Sequence, residues 1–263
     1  MKHLRWPLEG FETVAAIDTP NLQSHKRAVT TRYPIRYMRY WFGRSMLNEL
    51  HARLGRPLRV LEVGTDRGQM PCFMGGEHVG NDSYALPGMI ERWDGIDVQA
   101  DPEMLRRYGY TDFLKADIEK PLDLGGRRYD AVVLLHVLEH LAEPAKAMER
   151  LLPLVEHGGL MLGGSPTMPA SLGFFHEKYL RRKYADRMHD ITIHKHLSVI
   201  SPFFIRRFAR REGLSLELLS GAFAVRASGS PLENHSWWMR ANMAWGALFP
   251  SLGGEVYFSM RVP

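Results

Sequence analysis

The 263-residue sequence is 45% apolar and 24% charged and carries one cysteine, Cys72. This composition excludes wholesale disorder, a collagen-like fibre and a disulfide-framed scaffold, and a single thiol points to a reducing, cytoplasmic setting. The net charge of +5 is mild, and neither a signal-peptide apolar run nor a stretch of ~18 uncharged apolar residues suited to a membrane span is found.

Residues 1–30 are polar and irregular. Arg32–Arg44 (RYPIRYMRYWFGR) interleaves arginines with aromatics. Such a stretch can grip phosphate or stack on a sugar or base, but a solvated helix face over core aromatics explains it better. Phe42, Met46, Leu50 and Leu54 recur every four residues with Leu47 beside them, which predicts one helix face, with Gly55 as its stop. Short strands are predicted at Leu58–Val63, Gly95–Val98 and Tyr129–Leu135, the last apolar on both faces as a central parallel strand requires. Pro144–Val155 has helical spacing, and Leu160–Leu162 follows as a strand. Strands alternating with helices predict a βαβ sheet. Ser201-Pro202 reads as an N-cap and first helical residue, with Gly213 just past the helix end. Strands are then expected at Leu214–Leu219, Phe223–Ala227 and Val256–Val262. The final two would pair antiparallel around the stretch from Trp237 to Phe249, whose Trp237, Trp238, Trp245 and Phe249 would pack on the sheet.

The strongest local feature is Leu61–Gly68 (LEVGTDRG). A strand runs into Gly64, and Gly68 opens a helix. The glycines let backbone approach a ligand, and a helix N-terminus offers free N–H groups. Acidic residues follow in order. Glu62 precedes Gly64 by two. Asp97 ends the second strand, where a carboxylate accepts ribose hydroxyls. Asp117 is suited to an adenine amino group, and Asp130 begins the strand that leads to His136. Carboxylates at successive strand ends suit a nucleoside with a positive, unphosphorylated tail. A dinucleotide would need G-x-G-x-x-G, which is missing.

LRVLEVGTDRG, GIDV, KADIEKPL, YDAVVLLHVLEHLAEP and HKHLSVISPFFIRRFARREGLSLELL occur in an order that resembles class I S-adenosylmethionine-dependent methyltransferases. HVLEHL (136–141) is especially similar to the small-molecule and glycan branch. The resemblance implies a Rossmann-like α/β fold: a mostly parallel seven-stranded sheet with helices on both faces. Residues 58–263 would form that domain, residues 1–57 a helical cap over the cofactor cleft, and residues 174–196 a lid. It also implies roles. Glu62, Gly64, Thr65, Asp66 and the loop through Gly68 would surround the methionine part of S-adenosylmethionine. Asp97 and Val98 would hold ribose and adenine, Asp117 and Ile118 the adenine, and His136 and Val137 would lie beside the sulfonium. Asp66 departs from the family, which usually has glycine there. So does the 35-residue separation of Glu62 and Asp97, which contains an insertion over Met70–Gly88. That insertion is either a substrate-side loop or a surface decoration.

A hydroxyl acceptor must lose a proton, and histidine is the usual base near neutral pH. His140 and His196 are the best pair, with His176 and His194 as further candidates and Glu139 as an orienting group or cap. His189, Asp190, His194 and His196 match no standard zinc spacing and Cys72 is distant, so no metal is expected. The expected activity is O-methylation of a sugar, glycan or related small metabolite. An RNA or protein methyltransferase and a non-catalytic binding module on the same fold are the alternatives. A nucleic-acid acceptor is disfavoured because no nucleic-acid-binding module is appended. Peripheral contact with a membrane surface stays open.

Overall fold

The computed structural model describes residues 10–12, 31–68, 70–75, 77–79, 83–187, 196–224 and 229–263. The helix expected from Phe42 is α1, Met38–Leu54, and it buries Phe42, Met46, Leu47 and Leu50. Gly55 ends it with a left-handed φ of +65°, its N–H returning to the carbonyl of His51. β1 is Leu58–Val63. The insertion begins with a single turn, α2 (Met70–Phe73), and continues as a hairpin of β2 (Glu77–Val79) and β3 (Ser83–Ala85). Then come β4 (Ile90–Asp97), α3 (Pro102–Arg107), β5 (Asp112–Lys115) and β6 (Tyr129–Leu135). A 3-10 turn over Leu138–His140 leads to α4 (Pro144–Leu151), β7 (Val155–Pro166) and α5 (Ala170–Lys183). The chain closes with α6 (Pro202–Arg211), β8 (Ser215–Ala222), α7 (Ser236–Leu248) and β9 (Glu255–Arg261).

Seven strands form one sheet in the order β5-β4-β1-β6-β7-β9-β8. Only β9 runs antiparallel to its neighbours. The sheet is therefore the mostly parallel, seven-stranded, Rossmann-like one expected. Its middle strands are apolar on both faces because each face meets helices. Val60, Ala131 and Val133 belong to one buried cluster with α1; Leu61, Val132 and Leu134 belong to the other, with Met148 of α4 and Ile205 and Phe208 of α6. This alternation follows from the two-residue period of a strand. α6 starts as expected, the Ser201 hydroxyl accepting from the N–H of Phe204 at 3.2 Å.

Two expectations are corrected. The strand that pairs with β9 is Ser215–Ala222, not Phe223–Ala227: Ala222 faces Glu255 at the end of the ladder. Phe223 then turns to a φ of +60°, and the N–H of Ala224 is taken by Asn242 Oδ1 at 3.0 Å, so neither continues the strand. Residues 225–227 of that expected strand lie outside the described residues. Of the tryptophan stretch only Trp238 packs as expected, half-buried against the core cluster that the sheet contributes to. α7 turns Met239, Asn242, Met243 and Gly246 inward, and Trp237, Trp245 and Leu248 stay exposed. Gly246 sets this phase, since a Cβ there would lie 1.9 Å from the carbonyl oxygen of Gly221 on β8.

The first half of the insertion is core rather than decoration. Met70, Cys72 and Phe73 are buried, the Phe73 ring stacks on Tyr40 at 4.2 Å, and Arg44 Nη1 donates to the Phe73 carbonyl. Burial pushes the Cys72 thiol up to about 12. The aromatics of the arginine-rich stretch are likewise mostly core: Tyr33, Tyr37, Tyr40, Trp41 and Phe42 are buried.

Asp130 opens β6 at the sheet end away from the strand carboxyl ends, so it serves the fold instead of a ligand. It is 1% exposed and accepts from Arg56 Nη1 (2.9 Å), Arg56 Nη2 (2.6 Å) and the N–H of Arg59 (2.8 Å). Burial alone would raise its pKa; the Arg56 and Arg59 bonds and charges outweigh it and hold the carboxyl below its ordinary value. Its contribution is thus complete above about pH 4, the unfolded value, and is lost as pH falls through the lower folded value. Asp130→Ala should lower the unfolding free energy in urea at neutral pH by about 2–3 kcal/mol, since the fold loses a buried carboxylate's charge-assisted hydrogen bonds to the partly exposed Arg56 and to Arg59. A loss under about 0.5 kcal/mol, the level of a surface change, would refute this role.

Candidate functional site

The chain leaves β1 for β4 and β5 on one side and leaves β6 for β7 on the other. The carboxyl ends of β1 and β6 therefore flank the point where strand order reverses, which opens a crevice there. The crevice is a cleft of about 590 Å³, within the roughly 300–1,000 Å³ range of small-molecule sites. Of the expected site residues, Glu62, Gly64, Thr65, Asp66, Asp97, Val98, Asp117, Ile118, His136, Val137, His140 and His196 line it. Gly68 does not. Its left-handed φ of +70° closes the turn onto the Thr65 carbonyl, and a Cβ there would meet Leu105 and Tyr110, behind the cleft wall.

Three residues turn left-handed at the strand ends: Gly64 (φ +74°), Asp66 (φ +46°) and His136 (φ +57°). At Gly64 a Cβ would lie 2.4 Å from Val137 Cγ2, so the loop after β1 and the loop after β6 touch through a glycine. Asp66 takes a positive φ, which aspartate tolerates better than most residues, so it can stand where the resemblance leads one to expect glycine. Its N–H donates to Asp97 Oδ2 at 3.0 Å, and the Gln99 N–H donates to Asp97 Oδ1 at 2.8 Å. The Asp97 carboxylate is thereby fixed at the cleft edge. Asp117 is fixed in the same way, its Oδ1 accepting from the N–H of Glu119 at 2.9 Å.

Glu62 is buried, and its Oε2 accepts from Tyr110 Oη (2.6 Å) and Trp93 Nε1 (2.9 Å). Burial raises it to about 7, with Asp97 adding to the rise and the two hydrogen bonds and Arg39 opposing it. Glu139 is 1% exposed, and its Oε2 accepts from the Ser165 hydroxyl at 2.9 Å. Burial raises it to about 7 as well; its own backbone N–H, Ser165 and Arg39 oppose the rise, and Glu255 adds to it. The Glu139 carbonyl accepts from the N–H groups of Leu197 (2.6 Å) and Ser198 (3.1 Å), and the Ser198 hydroxyl donates to the Leu141 carbonyl. These bonds clamp the 196–200 segment onto the turn after β6. They bring His196 against His140, with ring centroids 5.1 Å apart and edge to face. His136 Nδ1 lies 3.7 Å from Glu139 Oε1, and its Nε2 lies 3.8 Å from the buried Glu255. His176 is exposed on α5, away from the cleft lining. His189, Asp190 and His194 fall outside the described residues, as does most of the carboxyl-terminal part of the expected lid.

Arg39 and Tyr40, from the first turn of α1, also line the cleft, as do Met70, Gln99, Glu119 and Leu141. Arg39 Nη2 donates to Tyr40 Oη at 3.0 Å. The arginine–aromatic interleaving marked this stretch, but its spacing alone does not separate cleft from core.

The fold and the cleft are those of Rossmann-like class I methyltransferases. The chain belongs to the methyltransferase-domain family, which it matches over residues 35–219. Among solved structures it is similar to the plantazolicin methyltransferase BpumL in complex with S-adenosylhomocysteine (TM-score 0.52, 12% identity, 97% of this chain and 96% of that one). It is also similar to the complex of a protein described as a methyltransferase with the Haloferax volcanii activator Trm112 (TM-score 0.51, 16% identity, 86% and 90%). No curated protein matches the chain. No helix among the described residues is long and apolar enough to cross a membrane.

Glu62 and Glu139 hold their protons more tightly folded than unfolded, where glutamate ionises near ~4.3. Each therefore favours the fold most at low pH, and the advantage is lost as pH rises from ~4.3 to about 7. Glu62→Gln, which keeps an acceptor for Tyr110 and Trp93, should flatten the fall in unfolding free energy between about pH 5 and about pH 8. A fall as steep as in the parent protein would mean that Glu62 is already ionised in the fold at the lower pH.

Proposed function

We propose that the chain transfers a methyl group from S-adenosylmethionine to a hydroxyl of a sugar, glycan or related small metabolite. The observation that carries this reading is one cleft with two chemically distinct ends: the Gly64–Asp66 loop and Asp97 at one, the His140–His196 pair at the other. The residues suit the cofactor. Asp97 is a fixed carboxylate for the ribose hydroxyls. Val98 and Ile118 offer apolar contact to adenine, and Asp117 an acceptor for its amino group. Thr65 Oγ1 is buried on the cleft wall without a hydrogen-bond partner among the described residues, ready for a polar ligand group. Glu62 and Asp66 give the methionine end the negative charge that its ammonium requires. S-adenosylmethionine, when bound, would supply a sulfonium-bound methyl whose carbon an acceptor oxygen attacks in line, a C–O bond forming as the C–S bond breaks and S-adenosylhomocysteine leaves. His136 and Val137 line the cleft where they would lie beside the reacting carbon, and His140 or His196 would meet the acceptor oxygen and take up its proton. The rest is positioning within a walled cleft.

Asp97→Ala should weaken S-adenosylhomocysteine binding by about 2–3 kcal/mol in titration calorimetry, the scale of hydrogen bonds to a charged group. Because Asp97 also holds two backbone N–H groups, thermal unfolding is run alongside, and Asp97→Asn should fall between parent and alanine variant. Unchanged affinity in folded Asp97→Ala would overturn the ribose assignment, and binding of NAD in place of S-adenosylhomocysteine would overturn the whole reading.

His140→Ala or His196→Ala should cut turnover on an accepted hydroxyl substrate by roughly 10²–10⁴, with cofactor affinity intact. Full turnover in both variants would remove the pair from the chemistry.

A further inference from the structure

We propose that Glu139, His140 and His196 bind a divalent transition-metal ion, zinc in type, on the acceptor side of the cleft. One carboxylate oxygen and one ring nitrogen from each histidine lie within 4.8 Å of one another. Glu139 Oε1 is 4.0 Å from His140 Nε2. Ligands around a tetrahedral zinc at ~2.0–2.2 Å stand somewhat closer than this, so a small rotation of the two side chains from the cleft surface completes the geometry. Two imidazoles and one carboxylate are a donor set for zinc, iron or cobalt, whereas magnesium and calcium prefer all-oxygen shells.

A second, independent observation points to a ligand. Glu139 Oε1 is buried and has no hydrogen-bond partner among the described residues, although its carboxyl is otherwise tightly held. Buried carboxylate oxygens are rarely left so. The support is of the kind metal ligands have: Ser165 fixes the other oxygen, and the Glu139 carbonyl, by clamping Leu197 and Ser198, fixes the backbone beside His196. A third observation is the charge of the wall: the cleft lining carries Glu62, Asp66, Asp97, Asp117, Glu119 and Glu139 beside the guanidinium of Arg39, so a cation beside Glu139 meets an acidic surface. All three ligands also line the cleft, which leaves the ion an open position facing the acceptor.

The role of the ion rests on the methyl-transfer reading; the site itself does not. Bound to the acceptor hydroxyl, a divalent cation lowers its pKa, so the proton leaves to solvent and the imidazoles act as ligands in place of a base. In the sequence His140 and His196 read as a pair of candidate bases with Glu139 beside them; that the three could ligate one ion is visible only once the fold brings His196 against the other two.

The test uses the full chain, stripped with a chelator and titrated with zinc and with cobalt(II), in parallel with S-adenosylhomocysteine. The parent protein should take up one equivalent of zinc and give the visible spectrum of a low-coordinate cobalt(II) site. His140→Ala, His196→Ala and Glu139→Gln should each weaken metal binding by more than about 100-fold, beyond the ~10–100-fold typical of outer partners. The two histidines are partly or fully exposed, so their variants keep the fold even if Glu139→Gln does not. No uptake by the parent, or equal uptake by the histidine variants, overturns the metal site. Loss of S-adenosylhomocysteine binding in the metal-loaded parent would instead overturn the methyl-transfer reading and leave the metal site standing.

Discussion

Everything in this molecule hangs on how two adjacent strands come to an end. β1 and β6 pair side by side, yet their chains must part in opposite directions. The chain makes that divergence here through left-handed dihedrals, at Gly64, Asp66 and His136. Such conformations cost non-glycine residues about 1–2 kcal/mol each and persist only where the surroundings enforce them. Here they are enforced: the N–H of His136 donates to the Gly164 carbonyl at 2.7 Å, and that of Asp66 to Asp97. The strain opens the cleft and, in the same bonds, fixes Asp97 at its edge.

The cleft is also an electrostatic constraint. Its floor holds more carboxyl groups than guanidinium groups, and burial keeps two of the carboxyls near the point of ionisation at neutral pH. A site so built favours positive charge in whatever enters it, and it releases protons on receiving it. The sulfonium and ammonium of a methyl donor, and the proposed divalent cation, would answer the same demand at different places along one wall. Arg39 moderates it at the centre, which is why a residue of the first helix belongs to a site otherwise made from strand ends.

Much of this was legible in the sequence. Strands with a two-residue period and a carboxylate at the carboxyl end declare themselves locally, so β1, β6 and Asp97 could be placed from spacing alone. Gly64 could be recognised too, although its reason is the side chain of Val137 and not only a ligand. Gly68 misled because a turn-closing glycine and a ligand-facing glycine look identical in one dimension. The last strand pairing misled for a similar reason: Phe223 is a good strand former, and only its neighbour Asn242, across α7, diverts the backbone. Arg39 and Tyr40 as cleft residues were out of reach; His140, His196 and Glu139 could be named together from the family's layout, but not as a set that could ligate one ion. The first depends on helix phase and the second on a clamp between segments more than fifty residues apart, and neither leaves a local pattern.

One small feature has a practical side. Cys72 sits under the cleft, packed in the first turn of the insertion, and burial pushes its thiol far above the pH of any ordinary buffer. A thiol is nucleophilic only as thiolate, so in the native protein this one is silent toward alkylation and oxidation. It becomes reactive only when the layer joining α1 to the cleft wall opens. The chain thus carries a built-in reporter of that opening: the rate at which a single label is taken up measures how often the floor beneath Met70 comes apart, with no other cysteine to confuse the count.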